Sequence, residues 1–194
     1  NIDESYRKYA DKLLIDKGIA ESDFVVGINP NAFKQACQWG VDRFISLSNK
    51  ILEIYNAKII IIGSEGERTL VEMVVNEVKN DNCIALTGLG LIQLSAVISK
   101  FHIFITNDTG PMHLAAAVKT PVVAIIGQDP KRYAPYIPDA IRRILYVDNL
   151  PCRPCNKFDC KEKLCLDPIS VDMVWEKFKS LADNILRMRN GNKK

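Results

Sequence analysis

The chain has 194 residues, 47% of them apolar and 25% charged. This is the balance of a soluble globular protein, long enough to bury a large core and short for two domains. A net charge of +3, built from interspersed signs without a Lys/Arg block, is too weak to argue for a nucleic-acid partner and still suits an anionic substrate.

The elements alternate along the chain. Ser5 to Gly18 repeats apolar residues at helical spacing and closes on Gly18. Phe24 to Ile28 is a short apolar run ending in Asn29-Pro30-Asn31, the signature of a strand buried on both faces of a parallel sheet. Helix is predicted again over Asp42 to Tyr55, then a strand over Lys58 to Ile62 with Gly63 to Gly66 as its turn. Glu67 to Lys79 follows as helix, Cys83 to Leu86 as strand, Ile92 to Lys100 as helix and His102 to Thr106 as strand. Met112 to Val118 reads as a short helix, Pro121 to Ile126 as a strand, and Ile144 to Val147 as the last strand. Ser170 to Met188 closes the pattern as a helix, and residues 187–194 read as a disordered tail.

This alternation predicts an α/β fold, a doubly wound parallel sheet of Rossmann-like kind in a single domain over residues 1–194. Ligands of such sheets bind beyond the carboxyl ends of the strands, where strand order reverses. No apolar run approaches the ~20 residues of a membrane span. Asn1 to Tyr9 are polar and charged rather than a secretory leader. The expected compartment is the cytoplasm, with at most a peripheral place at a membrane. Starting with Asn rather than Met, the chain is expected to be a processed product or a piece of something longer.

One strand end carries the strongest chemical signal. Thr106 leads into Asn107-Asp108-Thr109-Gly110-Pro111-Met112-His113, and the turn opens into an alanine-rich helix. The first N–H groups of a helix lack internal partners and sit at the positive end of its dipole. That makes the turn a site for a diphosphate. Thr109 adds a hydroxyl, Gly110 permits close approach, and His113 can hydrogen-bond a phosphate. The plainer reading makes Asp108 or Thr109 a helix cap and His113 a surface residue.

Cys152, Cys155, Cys160 and Cys165 form a Cys-x2-Cys-x4-Cys-x4-Cys cluster. Four thiols match a tetrahedral zinc site, although such sites usually carry two x2 pairs and this one has a single pair. Structural zinc and reduced thiols both stay open. Phe33, Trp39, Tyr133 and Tyr136 are read as packing residues rather than sugar platforms.

Thr106 to Ala117 closely resembles the central signature of the lipopolysaccharide heptosyltransferases, glycosyltransferase family 9. Pro121 to Pro130 is similar to its continuation, and Leu86-Thr87-Gly88 and Cys152-Arg153-Pro154-Cys155 follow the family's order. The resemblance runs from about Val25 to Val174. It implies the carboxyl-terminal half of a two-domain GT-B glycosyltransferase that grips the ADP part of an ADP-heptose-like donor. A lipid-linked saccharide acceptor of the lipopolysaccharide core and the catalytic base would belong to the amino-terminal half. No convincing catalytic residue is found in this chain, which is expected to be inactive alone, and no cofactor is required. Asp108, Thr109, Gly110, Pro111 and His113 correspond to residues around the donor diphosphate and sugar. Glu67 matches an acidic residue suited to the ribose hydroxyls, and Leu89 and Gly90 match the stretch along the adenine. The family's usual lysine in the first loop is replaced by Cys37, two residues before Trp39, with Lys34, Lys131 and Arg132 as alternative cations. That departure keeps a second reading alive, a non-catalytic nucleotide-sugar-binding module. A small zinc-organised interaction domain is a third.

Overall fold

The computed structural model describes residues 2–155 and 157–191. Helix α1 (Glu4–Asp16) begins at Asp3, whose carboxylate accepts from the Ser5 N–H. Then follow β1 (Phe24–Asn29), α2 (Val41–Ile54), β2 (Ala57–Gly63), α3 (Arg68–Val78) and β3 (Cys83–Thr87). The second half runs α4 (Leu91–Ile98), β4 (Ile103–Asn107), α5 (Gly110–Ala117), β5 (Val122–Ile125), α6 (Pro130–Tyr133), β6 (Arg142–Leu145) and α7 (Val171–Gly191).

The strands form one parallel sheet in the order β3-β2-β1-β4-β5-β6. Order reverses between β1 and β4, which places the crevice of a doubly wound sheet at the ends of those two strands. Period-two alternation sends Val26, Ile28, Ile59, Ile61, Ile103 and Ile105 to the core shared with α2, α3 and α7. Val25, Ile60, Ile62, Phe104 and Ala124 point the other way, into the core shared with α1, α4 and α5. Central strands covered on both faces need apolar residues at every position, which is why they read as unbroken apolar runs. Gly27 in β1 is set by close packing: a Cβ there would come within 2.2 Å of the Phe101 ring.

Three expectations are corrected. The last strand is Arg142–Leu145 rather than Ile144 to Val147. It is an edge strand, where arginines are tolerated. Arg142 donates to Asp139 at 2.6 Å and Arg143 to Ser180 at 2.9 Å. The terminal helix continues through Gly191, so residues 187–191 are helical, not a disordered tail. Arg189 fastens that end to the loop before β1, donating to the Ser22 carbonyl at 2.8 Å. Residues 192–194 lie outside the described residues. Of the aromatics expected to pack, Trp39 is 2% exposed, whereas Phe33 is 85% and Tyr136 100% exposed. Both lie in loops, where Phe33 meets the Phe158 ring edge-on at 5.4 Å.

Candidate functional site

The carboxyl ends of β1 and β4 are tied together by Asn107. Its side chain is fully buried, accepts the Trp39 N–H at 3.0 Å and donates to the Pro30 carbonyl at 2.8 Å. The loop after β1 is thereby held against the turn after β4, with Trp39 anchored below by its indole N–H on the Ile169 carbonyl at 2.7 Å.

Helix α5 opens at the same place. Thr109 is its N-cap residue in extended conformation and makes no capping hydrogen bond with its side chain. The plain capping expectation therefore fails at Thr109. Its hydroxyl oxygen instead accepts from Asn29 Nδ2 at 3.2 Å. An uncapped helix start offers its N–H groups and dipole to an anion. Around Gly110 there is room, since a Cβ added there would meet nothing within 4 Å.

Glu67 sits across from this helix start, at the end of a 3-10 turn that follows β2. One carboxylate oxygen accepts the Ser64 N–H at 2.7 Å, closing a capping box. The other accepts from Asn31 Nδ2. Both oxygens of the half-buried Glu67 side chain are thus engaged at the helix start.

A cleft of about 300 Å³ brings Glu67, Leu89, Thr109, Gly110 and Pro111 together. Asn29, Asn31 and Phe33 complete its polar and outer walls, and Leu86 and Leu94 its apolar floor. Five of the expected residues therefore share one cavity at the switch point. Asp108, His113, Lys34 and Gly90 are not among the residues that line it. Burial pushes the Asp108 carboxyl up to about 6, partly offset by His113 and Lys34. One Asp108 oxygen is buried and has no hydrogen-bond partner among the described residues. His113 is exposed on α5 and Lys34 half-buried in the β1 loop. Lys131 and Arg132 are exposed on α6, with Arg132 lying over the Tyr133 ring at 5.4 Å.

Sequence reasoning missed Asn29 and Asn31 as site residues. Their signal was an Asn-Pro-Asn turn leaving the strand that flanks the switch point.

The cysteines gather elsewhere. A second cavity of about 540 Å³ is lined by Cys152, Cys155, Cys160, Cys165 and also Cys37. All are free thiols, and among the described residues no three His, Cys, Asp or Glu side chains stand in position to share a metal ion. Cys37 is buried, which raises its thiol pKa, and receives a hydrogen bond from Gln128 Nε2 at 3.2 Å. Cys37 therefore faces the cavity that the thiol cluster lines.

Residues 2–166 match the family described as glycosyltransferase family 9 (heptosyltransferase). The chain belongs to that family. Lipooligosaccharide heptosyltransferase 2 of Campylobacter jejuni is 30% identical over 172 residues, 82% of this chain and 51% of the relative. Among solved structures, the family 9 glycosyl transferase of Veillonella parvula superposes with a TM-score of 0.82 at 25% identity, covering 96% of this chain and 53% of that one. The ADP-heptose lps heptosyltransferase II of E. coli gives a TM-score of 0.74 at 19% identity over 97% of this chain and 54% of that one. The chain thus spans about half the length of the family 9 relatives it matches. The Rossmann-like α/β fold expected from the sequence is the one these family members share.

Proposed function

We propose that the chain is the donor-binding half of a GT-B glycosyltransferase, gripping the ADP portion of an ADP-heptose-like sugar. One observation carries the reading: a carboxylate and an uncapped helix start face the same cleft at the sheet's switch point. Glu67 keeps lone pairs free to accept both hydroxyls of a ribose. The start of α5, with Thr109 and Gly110, meets the diphosphate. Leu89 lies along the base, and Asp108 and His113 flank the sugar. The E. coli relative named for ADP-heptose lends the donor its identity.

In transfer, an acceptor hydroxyl attacks the anomeric carbon and the bond from that carbon to the diphosphate oxygen breaks. The pair of electrons leaves with the diphosphate, and α5 stabilises the charge that builds there. The acceptor proton goes to a base on the other half. The acceptor, a lipid-linked core saccharide, and a location at the cytoplasmic face of the inner membrane belong to this proposal, as does transfer without a required cofactor. Cys37 in place of the lysine favours a second reading, a nucleotide-sugar-binding module without transfer.

Titrating ADP and UDP into the chain tests the donor reading. ADP is expected to bind and UDP to bind more weakly. Glu67→Gln, which can still form a capping box, is expected to weaken ADP about tenfold. A nucleotide seated away from the cleft, or equal affinity of the Gln variant, overturns it. Transfer from ADP-heptose by a protein carrying both halves separates enzyme from binding module.

A further inference from the structure

We propose that Asn29 and Asn31 set the hydrogen-bond polarity of the two ends of the cleft, Asn29 making Thr109 a donor and Asn31 holding Glu67 as an acceptor. This rests on the donor reading above.

Asn29 is the last residue of β1 and only 5% exposed. Its Oδ1 accepts the Asn31 N–H at 3.2 Å. A backbone N–H can only donate, so the amide orientation is fixed and Nδ2 must be the atom facing Thr109 Oγ1, at 3.2 Å. One of the two acceptor lone pairs of the threonine oxygen is thereby occupied. The single proton is turned away from Asn29 and toward the cleft side, beside the N–H groups of α5. A hydroxyl without that partner could aim its proton back at Asn29 and present both lone pairs to an anion.

The same logic orients Asn31. Its Oδ1 accepts the Ala32 N–H at 3.0 Å and Gln38 Nε2 at 2.8 Å. Gln38 is itself fixed, because the same nitrogen also donates to the Ala32 carbonyl at 2.9 Å. Asn31 Nδ2 is therefore committed to Glu67 Oε1, while Ser64 holds Oε2 from the other side at 2.7 Å. A carboxylate gripped at both oxygens presents its remaining lone pairs in one orientation, matched to a vicinal diol. One Asn-Pro-Asn turn thus governs a donor end for phosphate and an acceptor end for ribose. Asn29 and Asn31 are positioning residues that act through Thr109 and Glu67.

The test measures Kd by NMR titration of the chain with ADP, 2′,3′-dideoxy-ADP and adenosine. Asn29→Ala and Asn31→Ala are each expected to weaken ADP about fivefold, the effect of one hydrogen bond. The Asn31→Ala loss should vanish with the dideoxy ligand, and the Asn29→Ala loss with adenosine. Asn29→Ala in a Thr109→Val background, and Asn31→Ala in a Glu67→Gln background, should add no further loss. If an alanine variant fails to fold, Asn29→Asp and Asn31→Asp keep the acceptor oxygen of each turn and should weaken ADP. Full additivity, equal weakening of all three ligands, or no weakening overturns the proposal. Wild-type chain that fails to bind ADP overturns the donor reading and this inference together; binding that depends on Glu67 but ignores both asparagines overturns this inference alone.

Discussion

Trp39 and Asn107 meet across the switch point: the Trp39 backbone N–H donates to Asn107 Oδ1 over 3.0 Å, both residues being buried. The same asparagine reaches the Pro30 carbonyl at 2.8 Å, so one side chain joins the loop after β1 to the end of β4. Asn107→Ala would orphan a buried donor and a buried acceptor. We expect a loss of about 2–3 kcal/mol in unfolding free energy, read from the urea midpoint at unchanged m-value. A loss below half a kcal/mol (~0.5) would show that the two loops hold without it.

Gly27 is expected to resist substitution for a packing reason. A methyl group there would stand 2.2 Å from the Phe101 ring, and overpacking of this kind costs about 1–3 kcal/mol. Gly27→Ala should lower the melting temperature, and adding Phe101→Leu should recover part of the loss. If the second change only deepens it, the contact is not the cause.

Two groups should oppose each other in the acid limb. His102 is partly buried and its Nδ1 accepts the Val25 N–H at 3.1 Å; burial lowers its pKa from 6.5 to about 4. The folded state therefore holds neutral histidine, and its stability is lost as pH falls from 6.5 toward 4. Asp108 has the reverse sign: burial raises its pKa from 3.8 to about 6. The folded state binds that proton more tightly, so stability is gained as pH falls from 6 toward 3.8. Each effect is about 1–2 kcal/mol once discounted for partial exposure. Asp108→Asn should stabilise the chain at pH 7 and steepen its loss on acidification, while His102→Asn should flatten that loss. Urea midpoints between pH 4 and 7 check both, and unchanged slopes would remove these residues from the account.

The cysteines should react in two groups. Cys83 is 3% exposed and its thiol is pushed up to about 12, and Cys37 is likewise buried and raised. Both should resist a disulfide reagent until the chain unfolds. Cys152 is exposed and should react first, followed by its neighbours Cys155 and Cys160. Protection of the cluster by one equivalent of zinc, reversed by a chelator, would instead support the metal reading.

The sequence by itself determined the α/β class, nearly every strand and helix, and the turn before α5. These are local: apolar runs such as Lys58 to Ile62 and a polar turn opening into Ala115 to Ala117 are written in consecutive residues. The boundary errors arose where tertiary contacts override local pattern, Arg142 and Arg143 on an edge strand and Arg189 holding the last turn of α7. Only the folded chain decided which polar residues share the cleft. Asn29, Asn31, Glu67 and Thr109 come from three different strand ends. Parallel pairing of β2, β1 and β4 is what brings those ends side by side, so that amides oriented within their own turn meet partners 36 and 80 positions away. Likewise Cys37 gives no sign in sequence that it faces the thiol cluster over a hundred residues on, because that meeting is made by loops packing over one end of the sheet.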